Sequence, residues 1–166
     1  VTLVTGKTSI APPPFVKVVP VRSAEDMFQA VASVFREQDA VIKAAAVADY
    51  TPAAVSAEKV KKKDGDMSIP LKRTRDILKY LGEHRRDGQF LCGFSMETEN
   101  MLRNSQEKLA RKNVDMIVAN NLKVAGAGFG TDTNVVTLIT RDGVRELPMM
   151  SKDEVAHAVL DRIFAV

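Results

Sequence analysis

The chain has no tryptophan, one cysteine among 166 residues, and only 5% aromatic residues. A single cysteine excludes an internal disulfide and fits a reducing, cytoplasmic compartment. No apolar run approaches the ~20 residues that cross a bilayer, so no membrane association is expected. Scarce aromatics and a net charge of only +3 argue against a nucleic-acid surface. The two histidines, His84 and His157, lack metal-ligand spacing. No Ser-His-Asp or Cys-His arrangement is suggested, and the acids are not paired as glycoside hydrolysis needs. The glycine-rich stretch Gly126-Ala-Gly-Phe-Gly130 leads into a strand rather than opening a helix, so it is not a dinucleotide fingerprint.

What is there is a globular composition, 45% hydrophobic and 27% charged, in a chain long enough for one domain with its own core. Val1–Thr5 reads as a buried strand. Three consecutive prolines, Pro12–Pro14, then exclude helix and central strand. Val16–Val21 is a second strand. Ser23 caps a helix with Asp26 as the capping-box acid, and Met27, Val31, Val34 and Phe35 fall on one face. Ala40–Ala46 is the near-continuous apolar run of a parallel strand covered on both sides.

Val47–Asp66 reads as a long loop of the functional or mobile kind. Met67–Leu71 is a short extended piece. Thr74 caps a helix that turns Ile77, Leu78 and Leu81 inward. Phe90–Ser95 is a strand. Glu97–Lys112 is a helix with Met101, Leu102, Ser105 and Leu109 inside. Val114–Ala119 is a further parallel strand. Asp142-Gly143 marks a hairpin between Val135–Thr140 and Val144–Leu147. Ser151 and Glu154 form a second capping box. Alternating strands and helices predict an α/β, Rossmann-like, doubly wound and mostly parallel sheet with an appended β-hairpin. Such a sheet has its first strand in the middle. The expectation is therefore that residues 1–166 are one nucleotide-binding domain lacking its first strand-helix unit, with the native chain beginning upstream.

The strand before Asp49 ends in alanines, which let a ligand approach the backbone, and ligands bind such sheets at the carboxyl ends of strands. Asp49 is either a turn cap or a ligand acceptor there. Lys59, Lys61, Lys62 and Lys63 are either a solvated charge run or a mobile lid over an anion. Lys108 and Lys112 share a helix face. They are surface lysines or, beside a phosphate, a clamp. Phe94 is either core or a wall for a base. Cys92, mid-strand, is read as buried and inert.

Ala45-Ala-Val-Ala-Asp49-Tyr50 with Glu58-Lys59-Val-Lys-Lys62 resembles the signature of the phosphopantothenoylcysteine synthetase family of coenzyme A biosynthesis. The likeness continues through Asp76-Ile-Leu78, Gly93-Phe94 with Glu97-Thr98, and the run Lys108–Asn120. It ends with Phe129-Gly-Thr-Asp132-Thr-Asn134 and Ser151-Lys152. It covers nearly the whole chain, in order.

The resemblance implies a ligase in two steps. The carboxylate of phosphopantothenate attacks the α-phosphate of CTP, with Mg2+, giving an acyl-cytidylate and pyrophosphate. The cysteine amine then displaces CMP to form an amide. Eukaryotic relatives favour ATP. The resemblance further implies that Asp49, Asp76, Ile77, Leu78, Phe94, Lys108 and Lys112 line the nucleotide site. Arg75 sits in the same stretch, where the family commonly has proline. Lys59 is the lid lysine that turns over the intermediate, and Ala45 and Ala46 border the acyl phosphate. The metal ligands are unassigned. A homodimer and fusion to a decarboxylase domain are also implied. The family's amino-terminal glycine-rich turn and its Asn-x-Ser-Ser-Gly segment are absent from these residues. The rival reading is a non-catalytic, nucleotide-binding regulatory module; a dehydrogenase is a more distant one.

Overall fold

A computed structural model describes residues 1–61, 64–97, 100–121, 124, 126–128 and 130–164. In chain order the elements are β1 (Thr2–Thr5), β2 (Lys17–Pro20), α1 (Ala24–Val34), a 3-10 turn (Phe35–Glu37), β3 (Ala40–Lys43), β4 (Tyr50–Pro52), β5 (Leu71–Arg73) and α2 (Ile77–His84). They continue with β6 (Phe90–Glu97), α3 (Met101–Arg111), β7 (Met116–Asn121), β8 (Thr133–Asn134), β9 (Val136–Thr140), β10 (Gly143–Glu146), β11 (Met150–Ser151) and α4 (Lys152–Phe164). They divide into two compact units: Val1–Val31 with Ala46–Asp76, and Ala32–Ala45 with Ile77–Val166.

In the first unit β1 and β2 pair in parallel, with Thr2 opposite Lys17. The capping box of α1 forms as its sequence predicts. Asp26 N donates to Ser23 Oγ at 3.1 Å, and Ser23 N donates back to Asp26 Oδ2 at 3.0 Å. Those bonds satisfy amides that an isolated helix start leaves orphaned.

The second unit holds a five-stranded sheet in the order β10-β9-β7-β6-β3. β3, β6 and β7 run parallel, and β9 and β10 are the antiparallel hairpin laid on the far side. β7 is covered on both faces, with Met116, Ile117, Val118 and Ala119 all buried. On one face Met116, Val118, Cys92, Val136 and Leu138 pack with Val155 and Val159 of α4. On the other, Leu78 of α2 presses on Gly93, where an added Cβ would lie 2.4 Å from Leu78 Cδ2 and 3.3 Å from Ile117 Cδ1. Gly82 permits a still closer approach: a Cβ there would meet Lys112 O, at the end of α3, at 1.8 Å. The buried hydroxyls of Ser95 and Ser105 satisfy each other at 3.1 Å.

The amino ends of these strands are pinned by charge and amide groups. Arg85 grips Asp115 with two nitrogens, at 2.8 and 3.1 Å, and Asp115 Oδ2 accepts from Leu91 N at 2.7 Å. Gln89 Nε2 donates to Phe35 O at 2.5 Å and Gln38 O at 2.8 Å.

The structure corrects several local expectations. β3 ends at Lys43, and among the described residues it pairs only with β6. It is an edge strand with Ile42 41% exposed, and the following alanines have too little side chain to hold a covering element. Thr74 is not the helix cap: α2 begins only at Ile77, the Thr74 N–H bonds to Asp49 O beside the β4–β5 ladder, and its hydroxyl donates to Ala48 O at 2.6 Å. α3 begins at Met101, since β6 runs to Glu97 and Asn100 takes a left-handed φ of 49° that breaks the helix. Its buried side is Ser105 and Leu109, while Leu102 is exposed. The hairpin turns at Arg141 and Asp142, because Gly143 already pairs with Thr140.

Candidate functional site

The expected long loop has a built stem. β4 pairs antiparallel with β5, Tyr50 opposite Arg73 and Pro52 opposite Leu71. The ladder is extended at both ends: Ala53 N donates to Pro70 O at 2.8 Å and Thr74 N to Asp49 O at 2.9 Å. Residues 54–61 and 64–69 lie beyond this stem, with Lys59 and Lys61 exposed. Lys62 and Lys63 lie outside the described residues, as do Thr98 and Phe129. The backbone of Asp49 is therefore fixed while its side chain stays exposed.

Arg75, just past the stem, is held within the same unit. Its Nε donates to Glu25 Oε2 at 3.1 Å, its Nη2 pairs with Glu25 Oε1, and its guanidinium lies 3.7 Å from the Phe28 ring centroid. That arginine is a clasp between the stem and α1. Asp76 is exposed and immediately precedes the first residue of α2.

Ile77 and Leu78 are 3% and 4% exposed and belong to the core of the second unit. Their side chains are packed in that core. Ala45 is exposed beyond the end of β3, in the second unit, and Ala46, also exposed, opens the returning part of the first. Lys108 and Lys112 are half-buried on α3, where Lys112 N donates to Lys108 O at 3.0 Å. Cys92 is fully buried, and burial pushes its thiol up to about 12, with a smaller contribution from Asp115. It is inert, as its position predicts.

The second unit contains a cavity of about 350 Å³ at the carboxyl ends of the parallel strands. Ala44 after β3, Phe94 and Met96 on β6, and Asn120 on β7 form one side; Gly128, Asn134 and Lys152, Val155 and Ala156 of α4 complete it. Open parallel sheets bind ligands at this end. Its polar part is a chain of amides. Asn120 Nδ2 donates to Ser95 O at 3.2 Å, Asn134 Nδ2 to Asn120 Oδ1 at 2.7 Å, and Val135 N to Asn134 Oδ1 at 2.9 Å. Of the residues singled out for the nucleotide, Phe94 alone lines this cavity; Lys108 and Lys112 do not.

The model of one protein family, the DNA/pantothenate metabolism flavoprotein C-terminal domain, matches residues 1–166. The chain belongs to that family. The chain is 50% identical to the coenzyme A biosynthesis bifunctional protein CoaBC of Bacillus subtilis over 168 residues, covering all of this chain and 41% of that protein. The chain thus spans less than half of the length of that relative. The crystal structure of the C-terminal domain of a coenzyme A biosynthesis bifunctional protein CoaBC is 43% identical, with TM-score 0.80, over 98% of this chain and 71% of the solved one. Cab2 mutant H337A in complex with phosphopantothenate-cysteine shares the fold at 16% identity and TM-score 0.68, over 90% of this chain and 54% of that one.

Three residues of this family member gain a place that spacing alone did not give them: Asn120, Asn134 and Lys152. Each stood in a recognised motif without a role. The signal available in the sequence was two asparagines at or near strand ends, where a helix or strand former would be the ordinary choice.

Proposed function

We propose that this chain is the ligase part of a coenzyme A biosynthesis protein and joins phosphopantothenate to cysteine through an acyl-cytidylate, releasing pyrophosphate and then CMP. The observation that carries the reading is the 43% identity, over nearly the whole chain, to the C-terminal domain of a coenzyme A biosynthesis bifunctional protein CoaBC. The ordered motifs support it. Lys59, on a loop held by the Asp49–Thr74 stem, is the lid cation. Asp49, Arg75, Asp76, the backbones of Ile77 and Leu78, Phe94, Lys108 and Lys112 serve the nucleotide, and Ala45 and Ala46 border the acyl phosphate.

The chemistry suits these residues. A carboxylate attacking a triphosphate develops charge that positioned cations stabilise. An acyl phosphate survives only where water is kept out, which a closing loop accomplishes. Among the described residues no three His, Cys, Asp or Glu side chains gather to hold a metal. Magnesium with a nucleotide needs only one or two carboxylates beside the phosphate oxygens, so the exposed Asp49 fits that demand. When bound, the ion neutralises phosphate charge. Among the described residues no helix is long and apolar enough to cross a membrane. The same reading takes the protein to the cytoplasm, as a homodimer fused to a decarboxylase domain.

The test is pyrophosphate release by the full-length protein given phosphopantothenate, magnesium and either CTP or ATP. Release that requires phosphopantothenate and CTP is the expected result. Release with ATP instead would reassign the nucleotide, and release with neither would leave a binding module.

A further inference from the structure

We propose that Glu25 and Phe28 of α1 are positioning residues for the nucleotide, acting through Arg75 on Asp49 and Asp76. This rests on the reading above that Asp49 and Asp76 serve the nucleotide. All five residues belong to the first compact unit, Val1–Val31 with Ala46–Asp76.

Arg75 is flanked by the groups that carry the two acids. Before it, Thr74 N donates to Asp49 O at 2.9 Å, and the Thr74 hydroxyl donates to Ala48 O at 2.6 Å. After it comes Asp76, exposed and one peptide bond away. Fixing Arg75 therefore fixes the backbone that bears one acid and grips the other.

The far end of Arg75 is anchored at three points. Nε donates to Glu25 Oε2 at 3.1 Å, Nη2 pairs with Glu25 Oε1, and the guanidinium carbon lies 3.7 Å from the Phe28 ring centroid. A two-point contact with a carboxylate sets the direction of the guanidinium as well as its distance. The anchor is itself held. Phe28 is buried, and Gln29 Nε2, one turn along α1 from Glu25, donates to Glu25 Oε1 at 2.9 Å.

As a source of stability the ion pair is weak, because the side chains of Arg75 and Glu25 are 49% and 55% exposed. As a source of geometry it is strong, since three contacts leave the arginine little freedom. Its side chain is spent on α1, so Arg75 serves the nucleotide by holding its neighbours. A misplacement of about 1 Å in a binding group costs up to about 10²-fold, so a clasp of little stability still has a measurable effect on the ligand.

The experiment titrates the full-length protein with CTP and magnesium in a calorimeter, or with ATP if that is the nucleotide bound. It compares wild type with Glu25→Gln, Glu25→Ala and Glu25→Lys. Glu25 is exposed, so all three are expected to fold, and urea midpoints verify it. Glutamine keeps an acceptor for Arg75, alanine keeps none, and lysine repels it. Kd for the nucleotide is expected to rise in that order, by roughly fivefold for alanine. The kcat and the KM for cysteine are expected to stay at the wild-type value. Lost folding alone would reduce the active fraction and leave Kd unmoved. Lost negative charge alone would tighten a polyanion, the opposite of the expected shift. An unchanged or tightened Kd in the variants, a different order, or an equal rise in the KM for cysteine would overturn the proposal. A wild type that binds nucleotide but releases no pyrophosphate would sink the ligase reading alone, because the ranking is read from binding. A wild type that binds neither CTP nor ATP would overturn both.

Discussion

Arg75 lies over the Phe28 ring, its guanidinium carbon 3.7 Å from the ring centroid, while the same group pairs with Glu25. A half-exposed arginine thus closes over a buried aromatic ring, and it does so directly after the stem that carries the lysine loop. The ion pair itself is exposed and contributes little in water. The stacking over Phe28 is worth about 1 kcal/mol. Arg75→Ala is expected to lower the urea midpoint without changing the slope. Arg75→Lys is expected to recover only part of the loss, since lysine lacks the planar fork.

The same clasp gives a pH dependence. The hydrogen bond from Arg75, and then that from Gln29, hold the Glu25 carboxyl below its ordinary 4.5. A depressed carboxyl stabilises the fold above its unfolded value, and the effect is lost as pH falls through the folded one. The difference in urea midpoint between wild type and Glu25→Gln is therefore expected to be present at neutral pH and to shrink in acid below about pH 4.3. A constant difference across that range would argue against the pair.

Two glycines separate a tolerable clash from an intolerable one. In Gly93→Ala the new methyl meets Leu78 Cδ2 at 2.4 Å, the tip of a side chain that has other rotamers. That change is expected to cost about 1–3 kcal/mol. In Gly82→Ala the methyl meets the Lys112 carbonyl oxygen at 1.8 Å, and backbone cannot rotate away. The loss is expected to exceed about 3 kcal/mol by urea unfolding. It also shifts the end of α3, so under the proposed role of Lys112 at the nucleotide, affinity is expected to fall with it.

Much of this was readable locally. Both capping boxes form; at α4, Ser151 N donates to Glu154 Oε2 at 2.8 Å and Glu154 N to Ser151 Oγ at 3.2 Å. Four consecutive residues carry all the information such a box needs. The parallel strands and the hairpin were equally plain. What failed were features set by distant partners. Thr74 reads as a cap until Asp49 O takes its N–H and draws it onto the end of the stem, and β4 reads as loop until β5 pairs with it. The amide pair of the cavity joins Asn120 to Asn134 across a glycine-rich loop, and no periodicity announces it.

Lys59 gives a sharper functional test. It is exposed on the loop beyond the stem, so Lys59→Gln leaves folding intact. The variant is expected to bind nucleotide normally in a calorimetric titration. Turnover is expected to fall by about 10²–10³, the usual loss when a donor to developing charge is removed. Normal turnover would remove Lys59 from the mechanism.

The central claim is that a carboxylate is activated by a nucleoside triphosphate on this fold. Pyrophosphate release by the full-length protein, with magnesium, phosphopantothenate and CTP but no cysteine, measures that step alone. Release strictly dependent on phosphopantothenate and CTP is the predicted result. No release with either CTP or ATP would contradict it.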